Sequence, residues 1–549
     1  MLKAGLSSSL PTALILVFSA CAADTATQQC SDLLRLQLAD TKLTTAEMTA
    51  PGFKPPVASF DFVSKDVVVQ APFCRVSGTI APSIQFEVWL PPPAAWNGKL
   101  HGVGNGGMAG SIHYAGLNGA VEAGYVTVSS DLGHQGGPVA GDWAIGQPEL
   151  VRDWGHRATH EMTVKAKEIA RAYYGRPATR AYFSGCSGGG RQGMMQAQRY
   201  PDDYDGILLG DPTMDFSRLV VGGRLWQVRA NLASEATNLL GPRDVATISA
   251  AVNEQCDALD GIRDGVIEDP RRCRFDPKRI ECKGGSHENC LTTQQAQALL
   301  KIYQGARTKA GVRIYPGYEP GGELGKFGWI MYFAGESPQK GMQWPYAEGF
   351  LRGLVFEEAK YDILKFDYDT DVEEMVRKLV LGEPLASVID AANPDLSRFK
   401  AHGGKLIHYH GWTDAGVAPQ RSIDYYEEVV RTMAAADKKN AQSVQDFYRL
   451  FMAPGMQHCF GGPGPNAFGA PFQPPVPDDA EHSLFRALER WVERGVAPAD
   501  VVATKYVDDD PGRGVMRTRK ICAYPKAAAY KGSGSTDAAA SFECREPTK

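Results

Sequence analysis

The chain has 549 residues, 43% of them hydrophobic and 22% charged, an ordinary globular composition. It is too long for one small domain and fits one large domain carrying an insertion. A net charge of -5 with no basic run excludes nucleic acid or an anionic membrane surface as the natural partner.

The N-terminus carries Lys3, an apolar stretch from Ala13 to Phe18 and small residues through Ala23, the pattern of an export signal over residues 1–22. Its apolar core is too short to span a bilayer, and no later run is long enough to do so. Phe18-Ser19-Ala20-Cys21 resembles a lipobox, so lipid anchoring at Cys21 stands beside simple cleavage. The expected location is the periplasm, the outer membrane as a lipoprotein, or the exterior. Of eleven cysteines, ten remain once Cys21 is set aside, and an even set in an exported chain points to disulfides. No C-x-x-C is present, which argues against zinc.

In chain order, Cys30 and Cys74 bracket an N-terminal segment that a disulfide would staple. Ile84, Phe86, Val88 and Leu90 alternate as in a strand that ends at Pro91. Lys99 to Val103 is the next strand and runs into Gly104-Asn105-Gly106-Gly107, a loop whose amides can face a ligand. Tyr125 to Ser129 is another strand. Met162, Ala166, Ile169, Ala170 and Tyr173 then mark one apolar face of a helix from about His160 to Tyr174, stopped by Gly175.

Ala181 to Phe183 favours a strand, Gly185-Cys186-Ser187-Gly188-Gly189 a sharp turn, and the Met/Gln/Ala-rich run before Pro201 a helix. A G-x-S-x-G at a strand–turn–helix junction lifts a serine hydroxyl clear of the sheet edge. The glycines after Ser187 also leave amide N–H groups at a helix N-terminus, where an oxyanion is stabilised. Asp205 to Gly210 is the following strand.

From Pro212 to Asn393 the alternation fails, and this stretch is read as an inserted lid. The expected division is a hydrolase-type first part over 23–211, a lid over 212–395 and a second part over 396–549. Strand, helix and strand resume at 405–410, about 422–433 and 447–452, with a last amphipathic helix over 482–492. The Ala/Gly/Ser-rich tail from Lys526 to Ala540 looks disordered by composition, although Cys522 and Cys544 can tie it down. Together these elements describe a doubly wound α/β sheet.

Gly411-Trp412-Thr413-Asp414 comes after one late strand, and Pro454-Gly455-Met456-Gln457-His458 after the next. A serine nucleophile needs a base, and the base an orienting acid; Ser187, Asp414 and His458 stand in the required order, each after a strand. Cys186 precedes the serine and Cys459 succeeds the histidine, so a bond between them would clamp the two loops.

This Cys-Ser, Asp, His-Cys arrangement resembles the tannase and feruloyl esterase family, which includes mono(2-hydroxyethyl) terephthalate hydrolases. The motifs that carry the resemblance are WNGKL, GCSGGGRQGMMQAQRYPDDYDGI, CDALDGIRDGVIEDPRRCRFDP, HYHGWTDAGVAP, MQHCFGGPG, WVERGVAP and AYKGSGS, spread over nearly the whole chain. The resemblance implies an α/β-hydrolase fold, with Ser187 as nucleophile, His458 as base, Asp414 as orienting acid, and an oxyanion hole from Gly107 and Gly188. It implies disulfides Cys30–Cys74, Cys186–Cys459, Cys256–Cys273, Cys282–Cys290 and Cys522–Cys544. It also implies a structural Ca²⁺ held by Asp257, Asp260 and Asp264 and the carbonyls of Ile262 and Val266. The residues themselves agree in kind, because crowded carboxylates on one loop suit a hard cation.

Terephthalate-type members carry an acid directly after the nucleophile, whereas this chain has Gly188, which counts against that activity. The lid aromatics Phe327, Trp329, Tyr332, Phe333, Trp344, Tyr346 and Phe350 suit either a planar-acyl pocket or the lid's own core, and Arg352 either a substrate acid or the surface. The expected function is a serine esterase acting on small aromatic esters of feruloyl, hydroxycinnamoyl or galloyl type, without an organic cofactor. From another class, a non-catalytic Ca²⁺-dependent binding module would use the same scaffold.

Overall fold

The computed structural model describes Met1 and residues 29–59, 61, 63–284, 288–436 and 444–546. The stretch expected to be an export signal, apart from Met1, and Cys21 lie outside the described residues.

A nine-stranded sheet forms the frame. In chain order its strands are β1 (Thr41–Thr49), β2 (Phe73–Ile80), β3 (Ile84–Leu90), β4 (Lys99–Val103), β5 (Val126–Ser130), β6 (Arg180–Cys186), β7 (Gly206–Gly210), β8 (Lys405–Gly411) and β9 (Tyr448–Ala453). Their spatial order is β1-β2-β3-β5-β4-β6-β7-β8-β9. The first three strands and β5 pair antiparallel, and from β5 onward every pairing is parallel. The parallel strands are buried along their length, as expected of a sheet covered on both faces.

Strand register sets where the loops emerge. Cys186 stands opposite Gly210, Gly210 opposite Tyr409, and Gly411 opposite Ala453. The carboxyl ends of four adjacent strands therefore align, and the loops leaving them open on one edge, where doubly wound sheets bind ligands. Gly210 is glycine for steric reasons, since a Cβ there would lie 2.0 Å from the Tyr409 ring.

Helices cover both faces. On one face lie α1 (Tyr114–Glu122) and, at the far end of the chain, α7 (Leu484–Arg494); on the other lie α2 (Ala158–Tyr174), α3 (Gly188–Arg199) and α6 (Pro419–Ala436). The α2 face foreseen from its periodicity is buried at Met162, Ala166, Ile169 and Ala170, and Gly175 ends the helix in the left-handed region at φ 70°. The last helix begins at Leu484 rather than 482, because the Ser483 side chain caps it by accepting the Arg486 N–H.

Between Gly210 and Lys405 the chain leaves the sheet and builds a separate apolar cluster around α4 (Pro242–Cys256) and α5 (Thr293–Gln304). Two π-helical turns, 219–225 and 350–355, sit where this insertion meets the sheet layer, and Phe350 packs edge-on against Phe216. The C-terminal tail is ordered, contrary to its composition. Ala527–Tyr530 pairs antiparallel with Phe542–Arg545 beside the hairpin of Asp500–Tyr506 and Val515–Cys522. Five disulfides join Cys30–Cys74, Cys186–Cys459, Cys256–Cys273, Cys282–Cys290 and Cys522–Cys544. Among the described residues no helix is long and apolar enough to cross a membrane.

Candidate active site

Ser187 occupies the turn between β6 and α3 with φ 60° and ψ −118°, a backbone state that costs an L-residue roughly 1–3 kcal/mol. The surrounding glycines make the turn possible. A Cβ on Gly185 would lie 2.6 Å from the Gly189 backbone, and one on Gly188 would lie 2.6 Å from the Gly107 carbonyl and 3.0 Å from the Gly107 nitrogen. Gly107 itself sits at φ 61° with the Tyr346 hydroxyl and Pro138 pressed against it. Both glycines therefore present bare backbone to each other beside Ser187.

The loops after β8 and β9 bring the remaining polar groups together. His458 Nδ1 lies 2.7 Å from Asp414 Oδ2, and Asp414 Oδ1 accepts the N–H groups of Gly416 at 2.7 Å and Val417 at 3.0 Å. Burial alone would raise the Asp414 carboxyl, but the His458 ring and the His410 hydrogen bond outweigh it and hold the group well below the usual carboxylate range. The acid is thus ionised and oriented toward His458. The Cys186–Cys459 bridge places the two Cα atoms 6.0 Å apart across 273 residues of sequence. On the chain-entropy scale a loop of that size is worth about 5 kcal/mol.

Ser187 and His458 line one cavity of about 490 Å³, walled by Met331, Tyr332, Met342 and Tyr346 from the insertion and by Phe460 and Phe472. Tyr332 stands edge-on to His458, with ring centroids 6.4 Å apart. Of the insertion aromatics, Phe327, Tyr332 and Tyr346 face this cavity, while Trp329, Phe333 and Phe350 are buried core. Arg352 is no part of it: the guanidinium pairs with Glu348 and donates to the Tyr361 carbonyl. A neighbouring cavity of about 770 Å³ shares His113, Phe460 and Phe472 with the first but reaches neither Ser187 nor His458.

Three polar residues of this region escape sequence reasoning. Arg224, in the first π-helical turn, lines the cavity with its guanidinium 3.6 Å over the Tyr346 ring. Four arginines are buried among the described residues; Arg191, Arg517 and Arg519 are held by carbonyls or carboxylates, whereas Nε and Nη1 of Arg224 have no hydrogen-bond partner. No spacing signal marks Arg224. Neither His410, four residues before Asp414 in HYHGWTD, nor Asp211, directly after β7, is assigned a role by its spacing.

The acidic loop lies elsewhere, and none of its residues lines the cavity. Asp257 Oδ1 accepts the N–H groups of Asp264 and Gly265, Asp260 accepts Ile262, and Asp264 accepts Val266. Arg517 and Arg519 pair with Asp264 from the C-terminal hairpin. Burial pushes Asp260 up to about 6, with the charges of Asp264 and Asp257 adding to the rise. Three carboxylates and nearby carbonyls are the donor chemistry of a hard cation, and the raised Asp260 is charge that such an ion would relieve. Among the described residues, the carboxylate oxygens of Asp257, Asp260 and Asp264 do not all lie within 4.8 Å of one another.

The family model of tannase and feruloyl esterase matches residues 66–545. An uncharacterized esterase of Xanthomonas campestris pv. campestris is 39% identical over 94% of this chain and 91% of its own. A probable feruloyl esterase B-2 of Aspergillus flavus is 33% identical over 83% of this chain and 84% of its own. The crystal structure of feruloyl esterase B from Aspergillus oryzae superposes with a TM-score of 0.84 at 28% identity, covering 94% of this chain and 99% of that one. Tannin acyl hydrolase from Aspergillus niger has the same fold, with a TM-score of 0.73 at 24% identity over 95% and 96% of the two chains. The nine-stranded frame is an α/β-hydrolase fold, and the chain is a carboxylic ester hydrolase that belongs to the tannase and feruloyl esterase family.

Proposed function

We propose that the chain is a serine esterase that cleaves hydroxylated aromatic carboxylic esters through an acyl-enzyme. The observation that carries this reading is the 2.7 Å bond from His458 to Asp414, on a loop covalently clamped to the one bearing Ser187, with both Ser187 and His458 lining one cavity. Ser187 Oγ attacks the ester carbonyl while His458 takes its proton; Asp414 fixes the ring and stabilises the imidazolium. The amides of Gly107 and Gly188 hold the developing oxyanion. His458 then returns the proton to the leaving alcohol, and water repeats the sequence to release the acid.

The pocket chemistry supports a feruloyl, hydroxycinnamoyl or galloyl acyl group. Flat walls at Tyr332 and Tyr346 suit a ring, and the free donors of Arg224 suit phenolic oxygens. The steric position of Gly188 counts against the terephthalate-type site, because a side chain there meets the Gly107 carbonyl. The insertion over 212–395 acts as a lid in this reading. Its acidic loop would hold Ca²⁺ through Asp257, Asp260, Asp264 and the carbonyls of Ile262 and Val266, and the ion would supply charge neutralisation remote from the chemistry. Five disulfides favour an oxidising compartment, and hence export. The test is Ser187→Ala assayed on methyl ferulate and ethyl gallate: activity is expected to vanish on both, and near-parental rates would refute the reading.

A further inference from the structure

Beside the proposed triad stands a buried carboxylate that the proposed reaction does not use. Asp211 comes directly after β7, is fully buried, and has φ 38°. Its Oδ1 accepts the N–H of Gly411 at 2.8 Å, and its Oδ2 accepts the N–H of Cys459 at 3.1 Å. The residue before it, Gly210, accepts the N–H of Ser187 at 2.8 Å. Asp211 donates its own N–H to the Tyr409 carbonyl at 2.9 Å. One short stretch therefore grips the backbone of all three loops that carry Ser187, Asp414 and His458.

A second strand of contacts runs through His410. Its Nε2 lies 3.5 Å from Asp211 Oδ1 and 3.2 Å from Asp414 Oδ2, the oxygen that also meets His458, while its Nδ1 meets Ser422 Oγ at 2.6 Å. Ligand atoms of Asp211, His410 and Asp414 all lie within 4.8 Å of one another. Carboxylate, imidazole, carboxylate and imidazole thus alternate in a row that is buried as far as His458, which opens on the cavity.

We infer that Asp211 is a positioning residue for the triad, holding the Gly411 and Cys459 amides and biasing the protonation of the His458–Asp414 pair by its negative charge. The inference rests on reading Ser187, Asp414 and His458 as the triad. A carboxylate is suited to the place because it can accept from N–H groups arriving from two different loops, which a hydrophobic or amide side chain of that size cannot do on both oxygens. The groups facing Asp211 are His410 and Tyr409 from β8, Asp414, His458, and Tyr332 from the insertion. Among the described residues His410 is its only basic side chain within 4 Å. Burial raises Asp211 to about 6, the charge of Asp414 adding to the rise and His410 opposing it. The same two carboxylates raise His410 against the lowering effect of its burial. Asp211, His410 and Asp414 are thus electrostatically linked, each carboxylate favouring the protonated ring of His410 between them.

Two variants test this by sign. Asp211→Asn keeps the size but presents an NH₂ group to one of the two amides and removes the charge. It should lower kcat about tenfold to hundredfold with little change in KM. It should also move the acid limb of kcat/KM to lower pH by roughly half a unit or more, because an imidazolium nearby loses a stabilising anion. His410→Gln removes the intervening cation and should move the limb the other way. A purely structural role lowers activity without moving the limb, so unmoved limbs in both variants would overturn the inference. If Asp211→Asn does not fold, His410→Gln decides alone: an upward shift supports the inference and an unmoved limb ends it. Ser187→Ala, run in parallel, keeps the tests apart, since residual activity there sinks the triad reading itself.

Discussion

Two polar clusters of this molecule are built by opposite rules. Around Asp414 carboxylates and imidazoles alternate: Asp211, His410 and Asp414 are fully buried, His458 is half-buried at the cavity wall, and each carboxylate has an imidazole beside it. On the loop from Asp257 to Asp264 three carboxylates crowd around a single arginine, Arg263, and the cationic partners paired with them among the described residues, Arg517 and Arg519, both meet Asp264. Asp414 has an imidazole on either side, whereas among the described residues no cationic side chain pairs with Asp257 or Asp260. A row of alternating carboxylates and imidazoles can be sunk in a core, whereas crowded carboxylates with few ion pairs are where a hard cation would add stability.

The largest expected effect breaks the first cluster outright. Asp414→Asn should keep the fold yet lower kcat by about 10⁴, because the histidine is then held in the wrong tautomer; a steady-state assay on methyl ferulate with circular dichroism of the same sample checks it. Next comes the clamp. Replacing Cys186 and Cys459 together by Ala should cost about 2–5 kcal/mol of stability, read as a lower urea midpoint, with kcat falling as the two loops part. The second cluster responds to chelation: removing divalent ions should lower Tm by several degrees, while kcat measured well below Tm stays within about twofold. A Tm indifferent to chelator would show that the loop carries its charge unaided.

The smallest effect sharpens the comparison through pH. The folded state raises Asp211 from about 4, its unfolded range, to about 6. The native state therefore binds that proton more tightly, so the stability this group contributes is fully present below about 4 and is lost as pH rises through about 6. The amide that Asp211→Asn introduces cannot titrate. The Tm deficit of this variant against the parent should be widest near pH 4 and should narrow by pH 7, as scanning fluorimetry across that range would show.

Much of the site could be read from sequence because it sits where strands end. Ser187, Asp414 and His458 each come after a buried apolar run, and parallel pairing brings such ends to one edge whatever lies between them. Other parts lacked such a signal. Only Ala46 and Thr49 of β1 are buried, and its Thr-rich run has too few apolar residues to show alternation. The tail from Lys526 is poor in large apolar residues and is ordered by pairing and by Cys522–Cys544 rather than by a core of its own. In the insertion, the π-helical turn at 219–225 breaks the 3.6-residue period, so the inward turn of Arg224 cannot be inferred from spacing. Asp211 was hidden for another reason: its importance lies in the backbone amides it accepts, and these belong to residues 200 and 248 positions away.

The bridge between Cys186 and Cys459 has a topological consequence. It ties a ring that contains the entire insertion together with Asp414. A protease that cuts one peptide bond anywhere between Ser187 and His458 leaves a single molecule, its fragments still joined at the sulfurs. The insertion can thus be nicked while the serine and the histidine stay leashed to each other.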